Sequence, residues 1–184
     1  MVIWFTGLSS AGKTTIASAV EEKLTKEGFR VQLLDGDQMR RGLCRDLGFS
    51  REDRNENVRR IGFVASLLER HEIIVLVAAI SPFRDGREQV RNICDEFIEI
   101  YVNAPVTVCE DRDLKGLYAR ARRGEITLFT GVDSPYEAPI AADLECRTDK
   151  EAINESVDKT LSFVKSRLTA HQAGRSPNQS ATKA

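Results

Sequence analysis

Residues 2–15 read VIWFTGLSSAGKTT, an apolar run, then two glycines five residues apart, then Lys13 and Thr14. Gly7 to Thr14 fits G-x-x-x-x-G-K-[ST], and its setting matches the pattern. The apolar run predicts a buried strand, and Ile16, Val20 and Leu24 beyond it share one face of a helix. Glycines at the two ends let the backbone curl until its N–H groups converge, and the following helix adds positive potential at its N-terminus. The stretch therefore predicts a phosphate cradle made of Gly7, Ser9, Ser10, Ala11, Gly12, Lys13, Thr14 and Thr15. In such a cradle the Lys13 ammonium meets the β- and γ-phosphates of a nucleoside triphosphate and the Thr14 hydroxyl ligates Mg²⁺.

Working outward, further apolar runs at 31–34, 73–80, 97–102 and 144–146 predict four more strands. Helical faces lie between and after them: Val58, Ile61, Ala65 and Leu68, then Ile153, Val157, Leu161, Val164 and Leu168. This alternation predicts an α/β fold in three layers, a five-stranded, mainly parallel sheet with helices on both faces. The 184 residues, 41% hydrophobic and 30% charged, suit one domain over about 1–170. Residues 171–184 carry no aliphatic larger than Ala and predict a flexible polar tail, and residues 115–131, rich in Gly and Arg, predict a lid.

A net charge of −1 gives no global field for nucleic acid, so an anion site must be local. No apolar run reaches membrane-spanning length, and the opening MVIWFTG lacks the pattern of a secretory leader, which points to the cytoplasm. Four scattered cysteines and two histidines offer neither a zinc-site spacing nor a disulfide framework.

The second strand ends in Leu34-Asp35-Gly36-Asp37, at the sheet edge where open α/β folds bind ligands. Asp37 suits a helix cap or a partner for an acceptor hydroxyl. Arg residues between 40 and 60 suit either a second anion or, as for Arg51, Arg59 and Arg60, a solvated face. Phe49 and Phe129 suit either core packing or stacking on a flat base.

Taken in order, GLSSAGKTT, LDGDQMRRGLCRDLGFSREDRNENVRRIG, ISPFRDGRE, VCEDRDLKGLYARARRGEI and FTGVDSPYEAP resemble the adenylylsulfate kinase family over about residues 2–148. The resemblance implies transfer of the ATP γ-phosphate to the 3′-hydroxyl of adenosine 5′-phosphosulfate, giving 3′-phosphoadenosine 5′-phosphosulfate, with Mg²⁺. It places Asp35 near the metal and Asp37 on the acceptor hydroxyl, and gives Arg40, Arg54 and Asn57 the phosphosulfate. It implies that Phe49 and Phe129 sandwich the acceptor base and that Ile80, Ser81, Pro82 and Phe83 contact the acceptor. Ser81 matches a serine considered as a phosphorylated residue in this family, although direct in-line transfer needs none. Lys115, Arg120, Arg122 and Arg123 fall on the lid, with Lys115 toward the acceptor, and Arg112 falls beside the ATP base. Partners are thus two small nucleotides, with no nucleic acid or membrane, and the flanking helices allow a homodimer. Arg41, Cys44, Ala79, Thr127 and Leu128 depart from the residues usual in the family, around the expected acceptor pocket. A related kinase acting on another anionic nucleotide is the alternative.

Overall fold

The computed structural model describes residues 1–174. Five strands, β1 (Val2–Thr6), β2 (Val31–Asp35), β3 (Ile74–Ala78), β4 (Phe97–Asn103) and β5 (Leu144–Arg147), form one sheet in the order β2-β3-β1-β4-β5. Every pairing is parallel, so all five strands end at the same edge. The expected strands are all present, and the 73–80 run is cut to Ile74–Ala78 where the chain leaves the sheet.

β1 is central and buried on both faces, which is why it reads as an unbroken apolar run. Its side chains alternate between two cores. Ile3 and Phe5 pack with Ile16, Val20 and Leu24 of α1 (Lys13–Lys26) and with Val157, Leu161 and Val164 of α7 (Ile153–Gly174). Val2 and Trp4 face Val58, Ile61 and Ala65 of α3 (Arg51–Arg70) and Val90 of α4 (Arg84–Arg91). Fully burying side chains of this size is worth about 1.5–3 kcal/mol each, which fixes the helices on the sheet and the sheet edge beneath them.

Short helices α2 (Gly36–Arg41) and α5 (Val106–Asp111) follow strand ends at that edge, and α6 (Leu117–Arg122) falls within residues 115–131. Within the expected lid, Tyr118 and Ala121 are buried while Leu114, just before it, is fully exposed. That segment is thus anchored through Tyr118 and Ala121. Two local expectations are corrected. Ile153 is exposed and turned to the sheet edge instead of joining the core face of α7. That helix also runs to Gly174, past the expected start of the tail, and residues 175–184 lie outside the described residues.

Candidate active site

A cavity of about 700 Å³ opens along the edge where the strands end, within the ~300–1,000 Å³ of ordinary small-molecule sites. Parallel pairing brings β1, β2, β3 and β5 to it together, so residues remote in sequence line one space.

The phosphate loop, residues 7–14, forms one end. Gly7 has no room for a side chain, because a Cβ there would lie 2.3 Å from the Val102 carbonyl oxygen. Gly12 takes φ 104 and opens α1, which carries no side-chain cap, so the first N–H groups of that helix face the cavity. Lys13 is buried, and its ammonium donates to the Leu8 carbonyl at 2.6 Å. Desolvation lowers its pKa from 10.5 to about 8, against the opposing fields of Asp37 and Asp35.

Asp35 caps α2 with one carboxylate oxygen, accepting from the Asp37 and Gln38 amides at 3.0 and 3.1 Å. Its other oxygen accepts from the Thr14 hydroxyl at 2.8 Å. The capping role open to Asp37 thus belongs to Asp35. Asp37, in the first turn of α2, is exposed and ion-paired with Lys115 from the lid.

The other end is aromatic and cationic. Ser50 caps α3 by accepting from the Asp53 amide at 3.1 Å, which sets Arg54 and Asn57 one and two turns along, facing the cavity. The Arg40 and Arg54 guanidinium carbons lie 4.8 and 5.3 Å from the centre of the Phe49 ring. Arg40 donates to the Leu47 and Gly48 carbonyls, and Arg54 to the Phe49 and Leu128 carbonyls. Among the described residues neither forms an ion pair with a carboxylate. Burial, together with the charge of Arg40, lowers the pKa of Arg54 to about 10. Asn57 is buried, and its Oδ1 lacks a hydrogen-bond partner among the described residues. Two cations without a direct ion pair among the described residues, with Asp53 and Asp133 acting only through their fields, stand beside an unsatisfied amide, a costly arrangement that an anionic, hydrogen-bonding ligand relieves. By contrast Arg51, Arg59 and Arg60 are spent on Asp85, Glu137, Glu56 and Asp46, the solvated face that a charge run suggests.

Ile80, Ser81 and Pro82 form the wall between these ends. The Ser81 hydroxyl, however, points into the protein, accepting from Trp4 Nε1 at 2.9 Å. Phe83 and Phe129 do not line the cavity. Phe83 is buried beneath the Arg51 guanidinium, and Phe129 packs edge-on against Tyr118 at 4.9 Å between centroids. Among the five unusual positions only Ala79 lines the cavity. Cys44 is fully buried, and its amide donates to the Met39 carbonyl, away from the wall where it was expected.

Arg112 joins the wall as the resemblance implies, and several of its neighbours there carry no sequence signal. Arg112 donates to the Thr148 carbonyl at 2.6 Å, and Thr148 Oγ1 donates to the Ala11 carbonyl at 2.8 Å, which ties the segment after β5 to the phosphate loop. Glu151, Ala152, Ile153 and Leu114 complete that side. Tyr118 donates from its hydroxyl to the Ser9 carbonyl at 3.1 Å, tying α6 to the same loop.

The family model described as adenylylsulphate kinase matches residues 1–147, four-fifths of the chain and all the elements that build this cavity except the last segment of wall. The chain belongs to the adenylylsulphate kinase family. Within that family it is 56% identical over 173 residues to an adenylyl-sulfate kinase of Microcystis aeruginosa, covering 94% of this chain and 96% of the relative. It is 58% identical to an adenylyl-sulfate kinase of Rippkaea orientalis over 159 residues, 86% and 88% of the two chains. Among solved structures it resembles the Mycobacterium tuberculosis adenylylsulphate kinase CysC in complex with AMPPNP and APS. The TM-score is 0.86 at 45% identity, over 89% of this chain and 96% of that one. A gluconokinase from Sinorhizobium meliloti, 16% identical at a TM-score of 0.63, shares the fold.

Proposed function

We propose that this protein is an adenylylsulfate kinase, transferring the γ-phosphate of ATP to the 3′-hydroxyl of adenosine 5′-phosphosulfate. The observation that carries the reading is a single cavity with a phosphate loop at one end and two unpaired guanidinium groups on an exposed aromatic ring at the other. Such a space accepts two nucleotides head to head. The identity with adenylyl-sulfate kinases over most of the chain supports the same substrates.

In this reading the phosphate-loop amides and Lys13 hold the ATP phosphates and neutralise the charge that spreads over the transferring group. Arg112, with the 148–153 segment, flanks the donor base. Arg40, Arg54 and Asn57 hold the phosphosulfate, and Phe49 stacks on the acceptor adenine, a contact worth about 1–3 kcal/mol in other nucleotide sites. Phe129 reaches that base only if it turns from Tyr118. Asp37 accepts the proton of the 3′-hydroxyl as its oxygen bonds to the γ-phosphorus and the bond to the β–γ bridging oxygen breaks, releasing ADP. Lys115 leaves Asp37 for the phosphates as the acceptor arrives. Transfer is direct, because the Ser81 hydroxyl is buried and bonded to Trp4 and Thr6.

The Thr14 hydroxyl and the Asp35 carboxylate, 2.8 Å apart, are hard oxygen donors suited to Mg²⁺. Bound there with the nucleotide, the ion would neutralise the β- and γ-oxygens. Among the described residues no helix is long and apolar enough to cross a membrane. Light scattering on the purified protein tests the homodimer.

The test is ADP release from Mg-ATP with and without adenylylsulfate, with the product identified by mass. Acceptor-dependent release of the 3′-phosphorylated product is expected. ATP binding without stimulation would transfer the acceptor role to a different anionic nucleotide.

A further inference from the structure

Beneath the acceptor wall lies a buried polar cluster of which the steps above use only the Ser81 hydroxyl. Ser81, the middle of the Ile80–Pro82 wall, takes φ 41, a left-handed conformation that a residue with a Cβ keeps only where its surroundings over-determine it. Those surroundings are unusually polar for a core. Thr6 Oγ1 donates to the Ile80 carbonyl at 2.8 Å, and Trp4 Nε1 donates to the Ser81 hydroxyl at 2.9 Å. The Ser81 carbonyl accepts from Arg87 Nη1 at 2.7 Å.

Arg87 is 3% exposed, and each nitrogen of its guanidinium has a separate task. Nε pairs with Glu99 of β4 at 2.5 Å, Nη1 holds Ser81, and Nη2 donates to the Glu137 carbonyl at 2.8 Å. Tyr136 lies under the group at 6.0 Å and reaches Thr6 with its hydroxyl at 3.0 Å. The Glu137 amide in turn donates to the Pro82 carbonyl at 2.8 Å. Its carboxylate accepts from the Arg84 amide and from Arg51, which stands one turn before Arg54 on α3. A single planar fork, anchored on the rigid centre of the sheet, therefore ties the acceptor wall to the helix that carries Arg54 and Asn57.

We infer that Arg87 is a positioning residue for the acceptor: anchored by Glu99, its guanidinium fixes the Ser81 carbonyl and so holds Ile80 and Pro82 against the second nucleotide. The inference rests on the acceptor reading above. Lysine cannot replace it, because one ammonium does not supply three directed bonds from a plane. The donor end shares none of these contacts, so the effect is confined to one substrate.

The experiment compares wild type, Arg87→Lys and Glu99→Gln by steady-state kinetics in each substrate, with acceptor-independent ATP hydrolysis and thermal melting alongside. Arg87→Lys is expected to raise the acceptor KM at least about tenfold, the equivalent of one charge-assisted hydrogen bond, with ATP KM and basal hydrolysis within about twofold. Glu99→Gln, which keeps the shape and one acceptor oxygen, is expected to move the same parameter less. An unchanged acceptor KM in both variants, or a parallel rise in both KM values, overturns the inference. If Arg87→Lys does not fold, Glu99→Gln decides alone, and an acceptor KM within about twofold of wild type overturns it. Wild type that ignores adenylylsulfate refutes the acceptor reading instead, and the variants are then compared on whichever anionic nucleotide stimulates ADP release.

Discussion

Replacing Lys13 by Met should remove a gain in stability that the wild type makes, in a calculable way, as the pH rises. The buried ammonium has a pKa of about 8 in the folded chain against an ordinary 10.5. The folded state therefore gives up this proton first, and burying the charge costs about 3 kcal/mol at pH 7, at 1.36 kcal/mol per pKa unit. Below about pH 8 that cost is fully present. Between about 8 and 10.5 the folded form is neutral while the unfolded chain still holds the proton, so the cost is progressively relieved. From pH 7 to pH 10 the wild type should gain on Lys13→Met by about 2.5 kcal/mol, or about 5–10 °C of melting temperature for a chain of this size. Losing the bond to the Leu8 carbonyl offsets the two curves by a constant and leaves the slope untouched. The assay is differential scanning fluorimetry of both proteins at half-unit pH steps without nucleotide. A gap in melting temperature that stays constant over this range refutes the depressed pKa, and with it the view that the loop holds a destabilising cation in readiness for phosphate.

Three further outcomes follow from the site. Asp37→Asn should leave ATP affinity intact and lower turnover by about 10²–10⁴, read by ADP release; unchanged turnover removes Asp37 from proton transfer. Gly7→Ala forces a Cβ to within 2.3 Å of the Val102 oxygen, where backbone meets backbone, and should abolish the thermal shift on adding Mg-ATP. Arg54→Met should raise the acceptor KM about 100-fold with little change for ATP, since it removes an unpaired cation and frees the Phe49 and Leu128 carbonyls together. Equal effects on both substrates would place Arg54 in general folding.

What could be read along the chain was whatever the chain settles locally. The phosphate loop depends on a strand, two glycines, a Lys and a Thr within fourteen residues, and each keeps its meaning without knowledge of the rest. The faces of α1 and most of those of α3 and α7 were legible for the same reason, because helical period alone decides which side is buried. Ile153 broke that period because a helix end at the sheet edge meets the cavity before it meets the core.

The tertiary structure decided everything that depends on which strands are neighbours. Nothing in the sequence places β3 between β1 and β2, yet that order brings the Ser81 turn beside the strand carrying Trp4 and Thr6. It also decided that Asp35, two residues before Asp37, would be the cap, that Cys44 would be sealed inside, and that Arg87 would reach Ser81 and Glu99 at once. Thr148 and its neighbours joined the wall because a fifth parallel strand ends at the shared edge. A motif fixes the chemistry of residues that are close in sequence. The second substrate's site is assembled from segments whose proximity is a product of burial and strand pairing, so its geometry exists only once the sheet has closed.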